Sequence, residues 1–158
     1  VYHYYSDAGP GGGQLERVRD ALNQTTLYTY DVAGALKTTS GPVSGARSWT
    51  YNAQGRLASE VHPESGTTTY AWNLVGTLAS VTTPNGDTLT YSYDGAHRLT
   101  SRDAPGTGYD LSLTYDAFGR VATKTFGGVT TTTSYDGLGR PSTRADTVDG
   151  VTFTTVYG

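Results

Sequence analysis

The sequence of 158 residues contains no cysteine, no methionine and no isoleucine. Without cysteine there is no disulfide framework and no thiolate chemistry. Charged residues make up only 16% of the chain and the net charge is −3, so the basic surplus that neutralises phosphates is missing and we expect no nucleic-acid partner. No apolar run approaches the roughly 20 residues that span a bilayer, so we expect no insertion into a membrane.

Three residue types are abundant instead: the chain has 28 Thr, 21 Gly and 13 Tyr. Threonine and tyrosine favour strands, and glycine is suited to turns because it adopts positive φ without steric cost. Helix-favouring residues are comparatively few. The composition therefore predicts an all-β fold.

A seven-residue phrase recurs along the chain, and it reads YDVAGAL, YNAQGRL, WNLVGTL, YDGAHRL, YDAFGRV and YDGLGRP in successive copies. The copies begin near residues 30, 51, 72, 93, 115 and 135, with spacings of 21, 21, 21, 22 and 20. A divergent first copy occupies 5–29, and a partial copy begins at 157. We therefore expect one repeat array over residues 1–158, an internal fragment of a longer polypeptide.

Each repeat is predicted to be a β-hairpin. In one copy the segment 78–83 is strand-like, 84–87 carries the turn residues Pro, Asn and Gly, and 88–93 alternates with period two. Alternation places Tyr, Trp and Leu on one face of the second strand. Because one hairpin cannot bury these side chains alone, we expect hairpins to stack as a tandem array in a curved, spiralling sheet.

The run Tyr-Asp-x-x-Gly-Arg-Leu resembles the YD repeat, also called the RHS repeat. This repeat occurs in bacterial Rhs polymorphic toxins, wall-associated proteins, the C components of toxin complexes and teneurins. The resemblance implies a β-strand spiral that wraps into a hollow shell, often around a toxic C-terminal domain. It also implies secretion or surface display. This chain would then be an open fragment of such a shell.

The motif residues of the family map onto every copy. They are Tyr30, Asp31 and Gly34; Tyr51, Gly55 and Arg56; Trp72 and Gly76; Tyr93, Asp94 and Arg98; Tyr115, Asp116, Gly119 and Arg120; and Tyr135, Asp136, Gly139 and Arg140. Several copies lack one or both charges, which a catalytic group would not tolerate and a redundant structural pair would. We therefore interpret Asp94 with Arg98, Asp116 with Arg120 and Asp136 with Arg140 as pairs that brace turns.

No catalytic, cofactor or metal site is predicted. His3, His62 and His97 fall at unrelated positions of the repeat, and Glu16, Glu60 and Glu64 show no spacing that singles out a pair. The segment Asp146-x-x-Asp149-Gly150 lacks the ligand count and spacing of a calcium loop. We therefore expect no enzymatic activity and no cofactor.

The predicted function is structural: a segment of a secreted or surface-displayed bacterial β-shell or fibre that encloses or displays a toxin or effector. Its partners would be flanking YD repeats of the same polypeptide and an enclosed toxin domain. One alternative is a carbohydrate-binding adhesin module in which Trp49 and Trp72 stack on sugar rings. A third is a self-assembling β-fibre that joins end to end through its open sheet edges.

Overall fold

The computed structural model describes residues 1–4, 12–42, 45–106 and 108–158. These residues contain no helix, and hence none that could cross a membrane. They form 15 strands: β1 (Tyr2–Tyr4), β2 (Leu15–Arg19), β3 (Thr25–Tyr30), β4 (Leu36–Gly41), β5 (Gly45–Tyr51), β6 (Leu57–His62), β7 (Gly66–Trp72), β8 (Leu78–Thr82), β9 (Thr88–Tyr93), β10 (Leu99–Asp103), β11 (Leu111–Tyr115), β12 (Val121–Phe126), β13 (Val129–Tyr135), β14 (Pro141–Val148) and β15 (Val151–Val156). The all-β prediction is confirmed.

The strands belong to two compact units, Val1–Ala71 with Thr82–Gly86, and Trp72–Val81 with Asp87–Gly158. In the first unit, β1 to β7 pair antiparallel, each with its neighbours in sequence. In the second unit, β9 to β15 pair in the same way. Each unit is therefore a tandem array of hairpins, as the repeat predicts.

The strands alternate between two environments with period two. In β9, Leu89, Tyr91 and Tyr93 are half-buried, while Thr88, Thr90 and Ser92 are exposed. In β11 the half-buried residues are Leu111, Leu113 and Tyr115. We call the face that carries these aromatic and leucine side chains the tyrosine face, and the opposite one the threonine face.

None of the described residues is fully buried. The tyrosines and tryptophans at the repeat starts are half-buried. The physical reason is that a fully buried core needs a second layer packed over the sheet, and within each unit the described strands form one paired sheet. Contacts between neighbouring strands must therefore supply the stability of the array.

Hydroxyl pairs cross between neighbouring strands on the threonine face. Four of them stand nine residues apart, with oxygen–oxygen distances of 2.6–2.7 Å: Thr29 with Thr38, Thr50 with Ser59, Thr114 with Thr123, and Ser134 with Thr143. Cross-strand Thr and Ser pairs of this kind stabilise sheets. They give the high threonine content a direct structural role.

Candidate functional site

The recurring phrase forms a five-residue loop between two paired strands. In the loop from Asp116 to Arg120, the Asp116 amide donates to the Arg120 carbonyl at 2.9 Å, and the Gly119 amide donates to the Asp116 carbonyl at 3.0 Å. The same two backbone hydrogen bonds occur in the loops that begin at Asp31, Asn52, Asn73, Asp94 and Asp136. Six copies therefore share one loop conformation.

The fourth loop residue takes a left-handed backbone conformation. Gly119 has φ of 82°, and His97, which replaces glycine in its copy, has φ of 61°. Glycine is favoured there because it has no Cβ to clash. A Cβ on Gly119 would also lie 3.2 Å from Nη1 of Arg98, so glycine makes room for the arginine of the preceding repeat.

The acidic residue that opens each complete motif holds its own loop together. Asp116 Oδ1 accepts hydrogen bonds from the amides of Phe118 (2.9 Å) and Arg120 (3.0 Å), and Oδ2 accepts from Arg120 Nε at 2.7 Å. Asp94 binds Arg98 in the same way at 2.7 Å, and Asp136 binds Arg140 at 2.8 Å. The structure thus brings together all three Asp–Arg pairs that the sequence suggests.

These contacts lower the pKa of all three carboxyl groups. The side-chain hydrogen bond from Arg98 is the main cause for Asp94. Partial desolvation pushes the pKa of Asp116 upward, but the hydrogen bonds from Arg120 and Phe118 outweigh it. The backbone hydrogen bond from Arg140 contributes most to the lowered pKa of Asp136. Each carboxylate is therefore held in its charged form.

Copies without the ion pair keep the loop by other means. Asn52 Oδ1 accepts from the amides of Gln54 and Arg56, both at 3.0 Å. Asn73 Nδ2 donates to Thr77 Oγ1 at 2.9 Å, and Asp31 Oδ1 accepts from the Ala33 and Ala35 amides at 2.9 Å. A side-chain oxygen that accepts from the loop amides thus occurs in more copies than the Asp–Arg ion pair does.

A seventh loop of this type lies at Asp20, inside the divergent first copy, where sequence reasoning missed it. Asp20 Oδ1 accepts from the amides of Leu22 (2.9 Å) and Gln24 (2.8 Å), and Asn23 takes the left-handed position with φ of 69°. The signal that could have revealed it is Asp-x-x-Asn, since asparagine tolerates this conformation better than most residues. Residues 5–11 of that copy lie outside the described residues.

The motif tyrosine connects each repeat to the one before it. Its hydroxyl donates to a backbone carbonyl near the start of the preceding repeat's first strand, in four copies: Tyr30 to Leu15 (3.0 Å), Tyr51 to Leu36 (2.9 Å), Tyr115 to Leu99 (2.7 Å) and Tyr135 to Val121 (2.9 Å). The partners stand 14–16 residues apart in sequence. A tyrosine is required here because phenylalanine has no donor.

The motif arginine makes a second connection between repeats. The Arg98 guanidinium lies 4.3 Å from the centroid of the Tyr115 ring, and that of Arg120 lies 4.1 Å from the Tyr135 ring. These distances are typical of cation–π contacts. The aspartate therefore orients an arginine that stacks on the tyrosine of the next repeat, so the motif joins neighbouring repeats as well as bracing its own turn.

The tryptophans proposed as sugar contacts, Trp49 and Trp72, are both half-buried. The Trp49 ring meets His62 edge-on at a centroid distance of 6.2 Å, beside Glu60, its cross-strand partner. Glu60 accepts a 2.5 Å hydrogen bond from the Tyr70 hydroxyl, which lowers the pKa of Glu60 and, together with burial, raises that of Tyr70 to about 12. Carbohydrate binding by the tryptophans stays a prediction.

The same cluster contains an ion pair between Arg47 and Glu64, and His62 Nε2 lies 3.4 Å from Glu60 Oε2. Within the described ranges, no group of three His, Cys, Asp or Glu side chains is arranged to hold a metal ion. The cluster is a local network of polar contacts around Trp49.

Comparisons with known proteins support the YD-repeat resemblance of the sequence. The RHS repeat family model matches residues 51–86 and 72–109. Similar solved structures include crystal structures of TcdB2-TccC3-TEV (19% identity, TM-score 0.73) and of TcdB2-TccC3 without its hypervariable C-terminal region (20%, 0.72), and a structure of the Photorhabdus luminescens Tc holotoxin pore (19%, 0.71). Each match covers 91% of this chain and 9% of the other. No curated protein matches the chain.

Proposed function

Because this chain carries RHS repeats, we propose that it is a wall segment of a β-shell or fibre in a large bacterial protein, and that the wall encloses or displays a toxin or effector domain. The large protein is secreted or exposed on the cell surface. The chain spans 9% of the length of the structures that it matches, so many more repeats would be needed to build a complete wall.

The observation that carries this proposal is the connection between successive repeats. The motif tyrosine donates to the preceding repeat, and the motif arginine stacks on the following one. Both contacts point along the array, and both recur with the period of the repeat. A sheet built this way can be lengthened repeat by repeat without a closed core, which is what a wall requires.

The chemistry of the loops supports a structural role without catalysis. Asp116 is bonded to two loop amides and to Arg120, and Asp94 and Asp136 are bonded in the same way, so these carboxylates are occupied as structural acceptors. A general base needs a free acceptor and a suitably raised pKa. The pKa values of these three carboxyl groups are lowered, which makes them poor general bases.

Electron cryomicroscopy of the natural polypeptide that contains these residues tests the proposal. We expect a hollow particle with this chain in its wall, and an enclosed domain that resists added protease. Replacing Tyr115 and Tyr135 by Ala should open the wall and expose that domain, whereas Tyr109→Phe, at a side chain outside the motif, should not. An extended tether with a freely digested effector would overturn the enclosure proposal.

Two further measurements separate this function from its alternatives. On a glycan array, specific and saturable binding that is lost in Trp49→Ala would favour the carbohydrate-binding module over a purely structural wall. In sedimentation velocity, growth of the isolated chain into long particles would favour the self-assembling fibre. A monomer that binds no glycan is the result expected from the wall function.

A further inference from the structure

A separate surface feature lies on the tyrosine face of the second unit. Three cations occupy the same position in three successive repeats, namely the fourth residue of β10, β12 and β14: Arg102, Lys124 and Arg144. In the earlier repeats this position holds Thr39, Glu60 and Val81. The motif therefore does not impose a cation there. We call these three residues the cationic column.

The sheet register places the cationic column on one face at regular intervals. Arg102 pairs with Leu111, and Leu111 pairs with Phe126, which is two residues from Lys124 on the same strand. The step from Lys124 to Arg144 repeats this offset, through Thr131 and Asp146. Neighbouring cations of the column are separated by two strand spacings across the sheet and by two residues along the strand. Their Cα atoms therefore lie about 12 Å apart.

An exposed aromatic ring lies between the first two cations. Phe126 is 40% exposed, and its centroid lies 5.7 Å from the Arg102 guanidinium carbon and 5.9 Å from the Lys124 ammonium nitrogen. An open concavity of about 460 Å³ adjoins the ring, and Val121 and Val129 contribute apolar surface to it. Positive charge and apolar surface thus alternate along the column.

Two of the three charges have no carboxylate within ion-pair distance among the residues that the structure describes. Arg102 donates to the Tyr109 carbonyl at 2.9 Å, and Lys124 contacts Phe126. Arg144 differs, because it pairs with Asp146 at 3.0 Å. The column therefore carries net positive charge in a chain whose net charge is −3, which makes it the part of this face best suited to an anionic partner.

We propose that the cationic column binds an extended acidic peptide segment of a partner protein. In an extended chain, side chains four residues apart point to the same side and are separated by about 13 Å, which is close to the spacing of the cations. One carboxylate would lie between Arg102 and Lys124 beside Phe126, and a second near Arg144. Intervening aliphatic side chains would enter the concavity between Val121 and Val129. The inference does not rest on the shell function, because a fibre would present the same surface.

A peptide fits this surface better than an acidic polysaccharide does. The groove is lined by Val121, Phe126 and Val129 together with Thr131 and Thr133, and the apolar part of this lining favours aliphatic groups over the hydroxyl groups of a sugar ring. Charge complementarity would set the position of the peptide, and the apolar contacts would add affinity.

Fluorescence polarisation with a labelled nonapeptide, Glu-Thr-Leu-Thr-Glu-Thr-Leu-Thr-Glu, tests the proposal on the 158-residue chain, because its Glu and Leu side chains share one side of an extended strand. We expect saturable binding that weakens as salt is added. Lys124→Gln should raise the Kd about two- to fivefold, the effect of one exposed ion pair. Phe126→Thr should weaken binding further, with its fold checked by circular dichroism. The matched control is Lys37→Gln, on an exposed lysine of β4, which should leave the Kd unchanged.

Three results would overturn the proposal. The same nonapeptide with Gln in place of Glu binds equally well; Lys124→Gln and Lys37→Gln have the same effect; or oligogalacturonate displaces the peptide at a concentration below the peptide's own Kd. The last result would assign the column to an acidic polysaccharide instead.

Discussion

The hydroxyl of Tyr115 offers the clearest test of how repeats are joined. Replacing Tyr115 by Phe removes the 2.7 Å hydrogen bond to the Leu99 carbonyl and leaves the ring beneath Arg98 in place. A hydrogen bond of this kind contributes about 0.5–1.5 kcal/mol to folding. We therefore expect Tyr115→Phe to lower the free energy of unfolding by about 1 kcal/mol.

Replacing Tyr115 by Ala removes the ring as well. Truncating a fully buried aromatic costs about 3–5 kcal/mol, and a half-buried one should cost about half of that. Loss of the Arg98 stacking adds about 0.5–1 kcal/mol, and loss of the hydrogen bond adds about 1 kcal/mol. The expected cost of Tyr115→Ala is therefore about 3–4.5 kcal/mol.

Urea unfolding followed by circular dichroism measures both costs, as shifts of the midpoint at constant slope. The matched control is Tyr109→Phe, because the Tyr109 side chain is 62% exposed and lies outside the motif. We expect the control to unfold like the parent chain. If Tyr115→Phe and Tyr109→Phe unfold at the same urea concentration, the hydroxyl does not join the repeats and the reasoning fails.

Three further predictions concern charge and loop chemistry. The lowered pKa of Asp116 means that its carboxylate stabilises the fold above the usual carboxyl pKa range and that this stabilisation is lost as pH falls. Asp116→Asn should therefore show a smaller drop in melting temperature than the parent chain between about pH 5 and about pH 2. The raised pKa of Tyr70, about 12, means that the hydrogen bond from its hydroxyl to Glu60 stabilises the fold below about pH 10, and that this stabilisation is lost as pH rises through 12. The melting temperature of Tyr70→Phe should therefore depend less on pH in that window than the melting temperature of the parent chain. The double change Asn73→Asp and Thr77→Arg should install a complete motif whose arginine stacks on the next tyrosine, raising stability in urea by about 0.5–1 kcal/mol.

Each of these has a contrary outcome. An acid-melting curve of Asp116→Asn that parallels the parent would deny the carboxylate a role in stability. If the melting temperatures of Tyr70→Phe and the parent chain fall equally as pH rises from about 10 to about 12, the hydrogen bond between Tyr70 and Glu60 does not contribute to stability. If Asn73→Asp with Thr77→Arg unfolds at the same urea concentration as the parent chain, a complete motif is not enough to produce the stabilising contact between arginine and the next tyrosine.

Much of the fold is predictable from the sequence because its determinants are local. Aspartate and glycine at fixed offsets specify a five-residue loop, and the threonine and tyrosine alternation specifies the strands on either side. The loop at Asp20 escaped prediction because it lacks the preceding tyrosine and has Asn23 where five of the six other loops have glycine. The full motif is a sufficient signal for a loop, but the feature that the loop at Asp20 shares with those at Asn52 and Asp116 is a side-chain oxygen that accepts from the loop amides.

The contacts of the site were less predictable than its residues. The Asp–Arg pairing follows from a spacing of four residues within one loop. The tyrosine hydroxyl reaches a carbonyl in another repeat, and that partner depends on strand register. A register shift lies directly before Tyr115, between it and Thr114, so counting residues along ideal strands would misplace the contact.

Turn chemistry and period-two alternation were enough to set the elements of this protein, their order and the loops that join them, because these depend on interactions between residues close in sequence. Tertiary structure decided which repeat each motif side chain contacts, how far the aromatics are buried, and that Arg102 and Lys124 both lie beside the Phe126 ring. These properties depend on register and on the stacking of strands. Both are set by the cooperative pairing of the sheet, which no single repeat contains.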